Sequence, residues 1–322
     1  MLKENVGDHS AMLVRQMRLE ADGVISVDLV APDGGPLPEW PPGGHVEVRL
    51  PSGLLRQYSL CGPLADKDRY RIAVLREDPG RGGSREIHDQ VRVGGYIDVS
   101  PPRDLFRVPA ADGYLCLAGG IGITPILPIV ERARTEGVPV KVVYGGRSAS
   151  AMAFAEELGE QIGDQLTLVP QDESGFPDFG QLLDELPAGW VVCACGPGGM
   201  LEAVEAECTH RGLQSRLAME RFSGITGDID DSMVNTTIEV ELVRSGRTVE
   251  VPSDQSILET ISGIAAVISS CEEGYCGTCE VRVLGGVPEH RDTVLTEEER
   301  ASSQSMMICV SRAKSDRLRL DL

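Results

Sequence analysis

From about Leu13 to Val108 the chain alternates apolar and polar positions in short runs, such as His45–Leu50, Tyr70–Leu75 and Tyr96–Val99. Gly/Pro turns separate the runs. Alternation with a period of two gives strands with one buried face, and many short strands with frequent turns predict a closed antiparallel barrel. Pro109–Gly113 reads as a hinge, and beyond it the pattern changes. Tyr114–Ala118 is apolar throughout, as expected of a strand covered on both faces. Further strands are expected over 138–144, 166–169 and 190–195, and helices over 151–162, 178–186 and 198–212. Strands alternating with helices predict a parallel α/β domain. The Gly- and Asp-rich stretch Phe222–Asp231 reads as a linker. A hairpin follows, Thr237–Val243 and Arg247–Val251 around Ser245-Gly246, then a helix opened by Ser253 or Asp254 and running to Ile261. A hairpin crossed by a helix, then a cysteine-rich loop and more strands, predicts a β-grasp domain. The expected fold class is multidomain, α+β and α/β. It comprises a barrel over 9–108, a parallel-sheet domain over 109–222, a linker over 223–233 and a β-grasp domain over 234–322.

Composition narrows the function classes. The 322 residues carry a formal net charge of −20, which argues against nucleic acid or an anionic membrane as partner. That charge serves solubility, or forms an acidic docking face for a protein electron acceptor. No apolar run approaches membrane-spanning length, and Met1–Asp8 lacks the pattern of a signal peptide. Nine cysteines without a disulfide-like framework fit a reducing cytoplasm.

Three of those cysteines, Cys271, Cys276 and Cys279, stand at C-x4-C-x2-C spacing, and Cys309 lies in the apolar run Met306–Val310. This is the plant-type ligand pattern for a [2Fe–2S] cluster. Gly274 and Gly277 let one loop curl around inorganic sulfide, and Cys309 is expected to reach the cluster from a strand or its edge. The alternatives are a structural zinc site or buried free thiols; zinc sites more often pair two CxxC knuckles, and the chain has no second knuckle.

The earlier domains carry weaker signals. Arg56 and Tyr58 of Arg56-Gln57-Tyr58-Ser59 share a strand face, which suits a ligand with a phosphate and a flat ring system, or is a solvated charge beside a packed ring. The run Gly80-Arg81-Gly82-Gly83-Ser84 opens a short helix with Ser84 as expected N-cap, giving a phosphate seat or a plain turn. After the strand Tyr114–Ala118 comes Gly119-Gly120-Ile121-Gly122-Ile123-Thr124-Pro125, with Thr124 as expected cap and Pro125 at the first helical position. A glycine turn at a helix N-terminus is a dinucleotide-phosphate site in principle, although this is not GxGxxG. Gly145-Gly146-Arg147-Ser148 and Cys195-Gly196-Pro197-Gly198 occupy other strand ends, where ligands of open parallel sheets sit. Arg147 meets an adenosine ribose or phosphate, or is a surface charge; Cys195 touches a nicotinamide, or is one more small buried residue. The five scattered histidines and the lack of a Ser/His/Asp constellation give hydrolysis little support.

The order of these motifs resembles the phthalate dioxygenase reductase family, which includes the vanillate O-demethylase reductases, over nearly the whole chain. The resemblance implies a flavin barrel, an NAD domain and a carboxyl-terminal plant-type ferredoxin domain. It implies that Arg56 binds the flavin phosphate, with Gln57 beside it. Tyr58 lies against the flavin, and Ser59 sits near N5. Ala73 and Val74 line the same site, and Gly82, Gly83 and Ser84 hold the phosphate. Gly119, Gly120, Gly122, Ile123, Thr124 and Pro125 face the NADH pyrophosphate. Arg147, Ser148, Gly196 and Pro197 complete the nucleotide site. Cys195 meets the nicotinamide, and Phe222 lies by the flavin ring or anchors the linker. Ser59, Cys195 and Phe222 are thus the expected catalytic positions. The short barrel segment shows no obvious adenine-stacking aromatic, which favours FMN over FAD. The family reading is an NADH-dependent reductase serving a Rieske-type oxygenase. Its rivals are a reductase for a diiron monooxygenase or cytochrome, and a redox-sensing module.

Overall fold

The computed structural model describes residues 9–78, 82–104, 106–222, 235–269 and 271–322. Gly80, Arg81 and the linker expected over 223–233 lie outside the described residues. The chain divides into two compact units, the first covering Gly7–Phe222 and the second containing Ser223–Leu322.

The first unit holds two sheets. Strands β1 (Ser10–Ala21), β2 (Val24–Val30), β3 (Gly44–Arg49), β4 (Leu55–Ser59), β5 (Arg69–Leu75) and β6 (Tyr96–Val99) follow the order β4-β3-β6-β1-β2-β5. A short β7 (Arg103–Asp104) pairs with β3. All the pairings are antiparallel. The two ends of this order meet at the Leu60–Ile72 bridge and the 2.8 Å bond from Cys61 N to Arg71 O. Val14, Val27, Leu29, Val46, Val48, Ile72 and Val74 fill the interior, which is the alternation of the strands turned inward. Between β5 and β6 runs the helix α1 (Gly83–Gln90).

The second sheet is parallel, with order β10-β9-β8-β11-β12, built from β8 (Gly113–Gly119), β9 (Val140–Gly146), β10 (Leu166–Pro170), β11 (Trp190–Cys195) and β12 (Leu217–Glu220). Helices α2 (Ile126–Glu136), α3 (Ala155–Ile162), α4 (Gln171–Ser174), α5 (Phe179–Asp184) and α6 (Gly198–His210) lie among these strands in chain order. Every residue of β8 is buried, as its unbroken apolar character requires. The expected hinge at Pro109–Gly113 is pinned instead: Tyr114 Oη donates to Pro109 O, and Asp112 N donates to Gly189 O. Barrel residues Val24, Cys61, Ala73 and Phe106 share one apolar cluster with Cys116, Ile126, Tyr144 and Cys195. Barrel and parallel sheet are therefore packed together, not loosely tethered.

In the second unit, β13 (Ile238–Leu242) and β14 (Arg247–Val251) form the expected hairpin. The five-stranded order is β14-β13-β19-β15-β17, using β15 (Glu280–Gly285), β17 (Ser305–Met307) and β19 (Arg317–Leu320). β13 and β19 run parallel, and the other neighbours are antiparallel. A small ribbon joins β16 (Pro288–Glu289) to β18 (Arg312–Ala313). Helix α7 (Ile257–Ile261) starts later than expected because Ser256, not Ser253 or Asp254, caps it in a reciprocal box with Glu259. Helix α8 (Glu297–Ser302) has the same device at Thr296 and Glu299. Arg312 is buried and donates to the carbonyls of Thr236, Val251, Pro252 and Gln255, tying three stretches to one cation.

Candidate functional site

In the barrel, β4 carries Arg56, Gln57, Tyr58 and Ser59, and α1 brings Gly82, Gly83 and Ser84 to it. A Cβ on Gly83 would sit 2.6 Å from Arg56 Nε, so the two motifs are in contact. A cation thus lies against the first residue of a helix whose early N–H groups lack helical partners, an arrangement that fits a phosphate. Ser84 is not the N-cap: Gly82 holds that position with φ 83°, and Ser84 Oγ accepts from Glu77 N at 3.1 Å. The serine hydroxyl closes the loop from β5 instead. Glu86 reaches back from α1 and accepts from Ser52 N and Oγ, fixing the turn before β4. Tyr58 packs on the barrel core, and Ala73 and Val74 are buried on β5, in the shared and barrel clusters respectively.

At the carboxyl ends of the parallel strands, the turn after β8 lies against the turn after β11. A Cβ on Gly122 would come 2.3 Å from Cys195 O, and one on Gly119 would meet Pro197 and Met200. Glycine at 122 is therefore required by close approach of two backbones. Thr124 and Pro125 depart from expectation. A 3₁₀ turn over Gly120–Ile123 precedes the helix, Pro125 stands in the cap position, and Thr124 Oγ1 donates to Ile121 O. The i→i+3 bonds of that turn delay α2 by one residue. Tyr144 Oη donates to Gly120 O at 3.1 Å, fixing the turn from β9. Beyond β9, Arg147 is exposed and Ser148 Oγ lies 3.1 Å from Ser150 Oγ.

These two halves meet at Glu220, which the sequence reading did not single out. β12 is a four-residue strand beyond the last one the sequence predicts for this sheet, so nothing marked its last residue. Parallel pairing of β11 with β12 sets Glu220 beside Cys195, and Ser59 Oγ of the barrel donates to Glu220 Oε2 at 3.4 Å. Desolvation pushes the Glu220 carboxyl up to about 8; Ser59 opposes the shift and the charge of Asp104 adds to it. Glu220 is half-buried as a residue, yet its carboxyl is enclosed enough for desolvation to dominate. The Cys195 thiol is raised well above its ordinary value by burial and by Glu220, so it stays protonated. Phe222 is partly buried against the shared core. The structure thus brings Ser59, Cys195 and Glu220 to one place, with Phe222 two residues along the chain.

In the second unit Cys271, Cys276, Cys279 and Cys309 are all buried. Glu272, Gly274 and Gly277 adopt positive φ, which winds the loop tightly. A Cβ on Gly274 would strike Val310 at 2.6 Å, one residue from the fourth cysteine. Cys309 lies just past the end of β17, as expected of a ligand arriving from a strand edge. The sulfurs contact one another in pairs, Cys271 with Cys276 and Cys309, and Cys279 with Cys309. Shared hydrogen bonds pull the Cys271 and Cys279 thiols down and push those of Cys276 and Cys309 up. Held as four thiolates, sulfurs this close would need added positive charge, which the irons of a cluster would supply. Among the described residues, no three donors are arranged to hold a single metal ion. Backbone N–H groups of Glu273 and Thr278 point at Cys271 and Cys276 sulfur at 3.4 and 3.5 Å, as around a thiolate-ligated cluster.

A model of the 2Fe-2S iron-sulfur cluster binding domain matches residues 240–314. The chain is 40% identical over 307 residues to phenoxybenzoate dioxygenase subunit beta of Ectopseudomonas oleovorans, covering 94% of each. Among solved structures it resembles phthalate dioxygenase reductase, with TM-score 0.73, 33% identity and 98% of each chain covered. It also resembles an intact type IV self-sufficient cytochrome P450 monooxygenase, with TM-score 0.87 and 38% identity over 98% of this chain, and spans 41% of that longer chain. Barrel, parallel sheet and four-cysteine β-grasp together define a flavin- and pyridine-nucleotide-type oxidoreductase that carries its own [2Fe–2S] domain. The chain belongs to the phthalate dioxygenase reductase family, the reductase components of oxygenase systems. Among the described residues no helix is long and apolar enough to cross a membrane.

Proposed function

We propose that this protein is a cytoplasmic reductase that draws electrons from NADH through FMN and the [2Fe–2S] cluster and delivers them to a Rieske-type oxygenase. The observation that carries this reading is the 3.4 Å contact between Ser59 on the barrel and Glu220 on the parallel sheet. It joins the end of β4, the strand that carries Arg56, to the end of β12, which pairs with Cys195, and so supports a single cleft for flavin and nicotinamide. When bound, flavin takes two electrons as a hydride and releases them singly to a one-electron cluster.

The chain's own residues bind and orient. Arg56 and the N–H groups of Gly83 and Ser84 would hold a phosphate, and Tyr58 would bind the flat ring attached to it. Gly119, Gly120, Gly122, Ile123, Thr124 and Pro125 take the pyrophosphate, with Gly196 and Pro197 opposite. Arg147 and Ser148 meet the adenosine ribose. Cys195 and Glu220, both neutral below about pH 8, present no net charge to the transferred hydride. Ser59, whose hydroxyl donates to Glu220, would stand at the flavin edge. Phe222, partly buried against the shared core, would flank that edge and keep water from it. No side chain acts as general base, because hydride transfer needs none. Cys271, Cys276, Cys279 and Cys309 hold the cluster.

The test is anaerobic reduction of the purified protein by NADH, with the released flavin identified by mass spectrometry. FMN, two irons per chain and a higher kcat/KM for NADH than for NADPH are expected. Release of FAD, zinc in place of iron, or preference for NADPH would each overturn that part of the reading. The likeness to a self-sufficient P450 monooxygenase supports a second reading, a haem acceptor. Electron delivery to a purified P450 but not to a Rieske oxygenase would favour it.

A further inference from the structure

Residues 290–295, the strap between β16 and α8, hold two buried polar side chains to which the reading above gives no task. Asp292 is 2% exposed, and its Oδ1 accepts from Val294 N at 3.0 Å and from Leu295 N at 2.9 Å. Its Oδ2 has no hydrogen-bond partner, and neither nitrogen of His290 has one. The two groups face each other. His290 Nδ1 stands 3.8 Å from Asp292 Oδ2, within ion-pair range but too far for a hydrogen bond. Buried polar atoms without hydrogen bonds are costly and uncommon, and each one calls for an explanation. What the strap touches supplies one. Thr293 N donates to Gly274 O at 2.9 Å, and a Cβ on Gly274 would sit 3.2 Å from Asp292 Cα. A Cβ on Gly277 would sit 3.5 Å from Val294. Arg291 N donates to Ser311 Oγ at 3.2 Å, two residues past Cys309. The strap thus grips both the loop that carries three cysteines and the stretch that carries the fourth.

We infer that Asp292 and His290 are positioning residues for the [2Fe–2S] cluster: the Asp292 carboxylate folds the strap that closes the cysteine loop and holds down the cluster's affinity for an electron, and His290 offsets that charge. The inference rests on a cluster held by Cys271, Cys276, Cys279 and Cys309. Cluster potentials depend on the net charge around the cluster. A carboxylate kept from water opposes an added electron more than an exposed one does, because the interior screens weakly. The cations near the strap are engaged elsewhere. Arg291 pairs with Glu289 at 2.7 Å, and Arg312 donates to four backbone carbonyls. Arg300 donates to the backbone carbonyl of Asp292, not to its carboxylate. That leaves His290 to face the free oxygen.

The test uses the full-length protein with its cofactors in place, and the variants Asp292→Asn, Asp292→Ala, His290→Leu and Asp292→Asn/His290→Leu. Anaerobic titration with one-electron dyes reads the cluster midpoint potential, and the rate of iron release to a chelator reads how firmly the loop holds it. Asp292→Asn keeps an oxygen for the two N–H groups and removes the charge. It should raise the cluster's affinity for an electron about tenfold, which is about 59 mV for one electron, with iron release within about twofold of the parent. Asp292→Ala loses the turn as well and should release iron about tenfold faster. His290→Leu leaves the carboxylate without its counterpart and should lower the electron affinity about threefold. The double variant should match Asp292→Asn within about twofold, since His290 acts only through the carboxylate. An unchanged potential in Asp292→Asn, or shifts of the same sign in Asp292→Asn and His290→Leu, would make the pair a packing feature and overturn the inference. A parent with the iron content and visible spectrum of a [2Fe–2S] cluster separates these outcomes from failure of the cluster reading itself.

Discussion

The two cofactor sites are built in opposite ways. The cluster site is local: three ligands lie on one nine-residue loop, Cys271–Cys279, and only Cys309 comes from elsewhere. The proposed flavin–nicotinamide cleft is assembled at a distance, from β4 and α1 of the barrel and from the ends of β8, β11 and β12 of the parallel sheet. A local site is defined by spacing and winds itself into place through left-handed residues. A distributed site is defined by packing, and its parts are held by residues that never touch a cofactor. The first should fail abruptly and alone, and the second should degrade by degrees.

The largest effect tests that locality. Cys276→Ser should abolish the visible absorption of the cluster and reduce the iron content from two per chain to near zero. The flavin should remain bound and reducible by NADH. Flavin loss accompanying the substitution would show that the sites are not independent. Ending the chain after Phe222 removes the local site entirely. Reduction of the flavin by NADH and turnover with ferricyanide should survive, whereas transfer to the oxygenase should fall to background. Oxygenase reduction at the full-length rate would remove the cluster from the path.

A smaller effect probes the distributed site. Gly122→Ala forces a methyl to within 2.3 Å of Cys195 O, so the two strand-end turns must separate. Overpacking of this kind costs about 1–3 kcal/mol. The KM for NADH should rise while flavin affinity stays unchanged, as read by kinetics and fluorescence titration. A comparable loss is expected in the other unit from Arg312→Met, which removes the buried donor to four carbonyls. The cluster domain should melt earlier, by about 2–4 kcal/mol at an unsatisfied-group cost of about 1–3 kcal/mol each with partial relaxation, while the flavin-containing unit melts as before.

The smallest effect concerns protons. The Glu220 value of about 8 lies above its ordinary 4.5, so the folded protein keeps a proton that the unfolded chain releases. The stability this group contributes is complete below about pH 4.5 and is lost as pH rises through about 8. Glu220→Gln should remove that slope from the melting temperature of the flavin-containing unit. It should also remove an inflection near pH 8 in flavin reduction, which slows above it in the parent because an ionised Glu220 opposes negative charge added nearby. A slope that persists in the glutamine variant would assign the titration elsewhere.

Legibility in the sequence follows the same division. The cysteine quartet, the β13–β14 hairpin and the fully buried β8 were all visible, because each depends on neighbours in the chain. The caps were misplaced at Ser84, Thr124 and Ser253, since a cap is chosen by which hydroxyl finds which N–H. The supposed hinge at Pro109–Gly113 is a packed corner, because composition does not reveal that Tyr114 and Gly189 hold it. Glu220 was silent for a deeper reason. Its meaning comes from pairing β12 with β11 and from packing that sheet on the barrel, which brings Glu220 to Ser59 across 161 residues of chain.

The position of β19 bears on how the protein is made. It lies in the middle of the second sheet, between β13 and β15, although it is the last strand in chain order. During synthesis the barrel and the parallel sheet have every strand available once Glu220 has emerged. The hairpin β13–β14 must then wait, with one edge unpaired, until Arg317–Leu320 leaves the ribosome. Pairing across so long a separation is slow, and open strand edges invite association with other chains. The second unit is thus completed only when β19 has been made, and iron delivered before then meets four cysteines whose sheet has no centre.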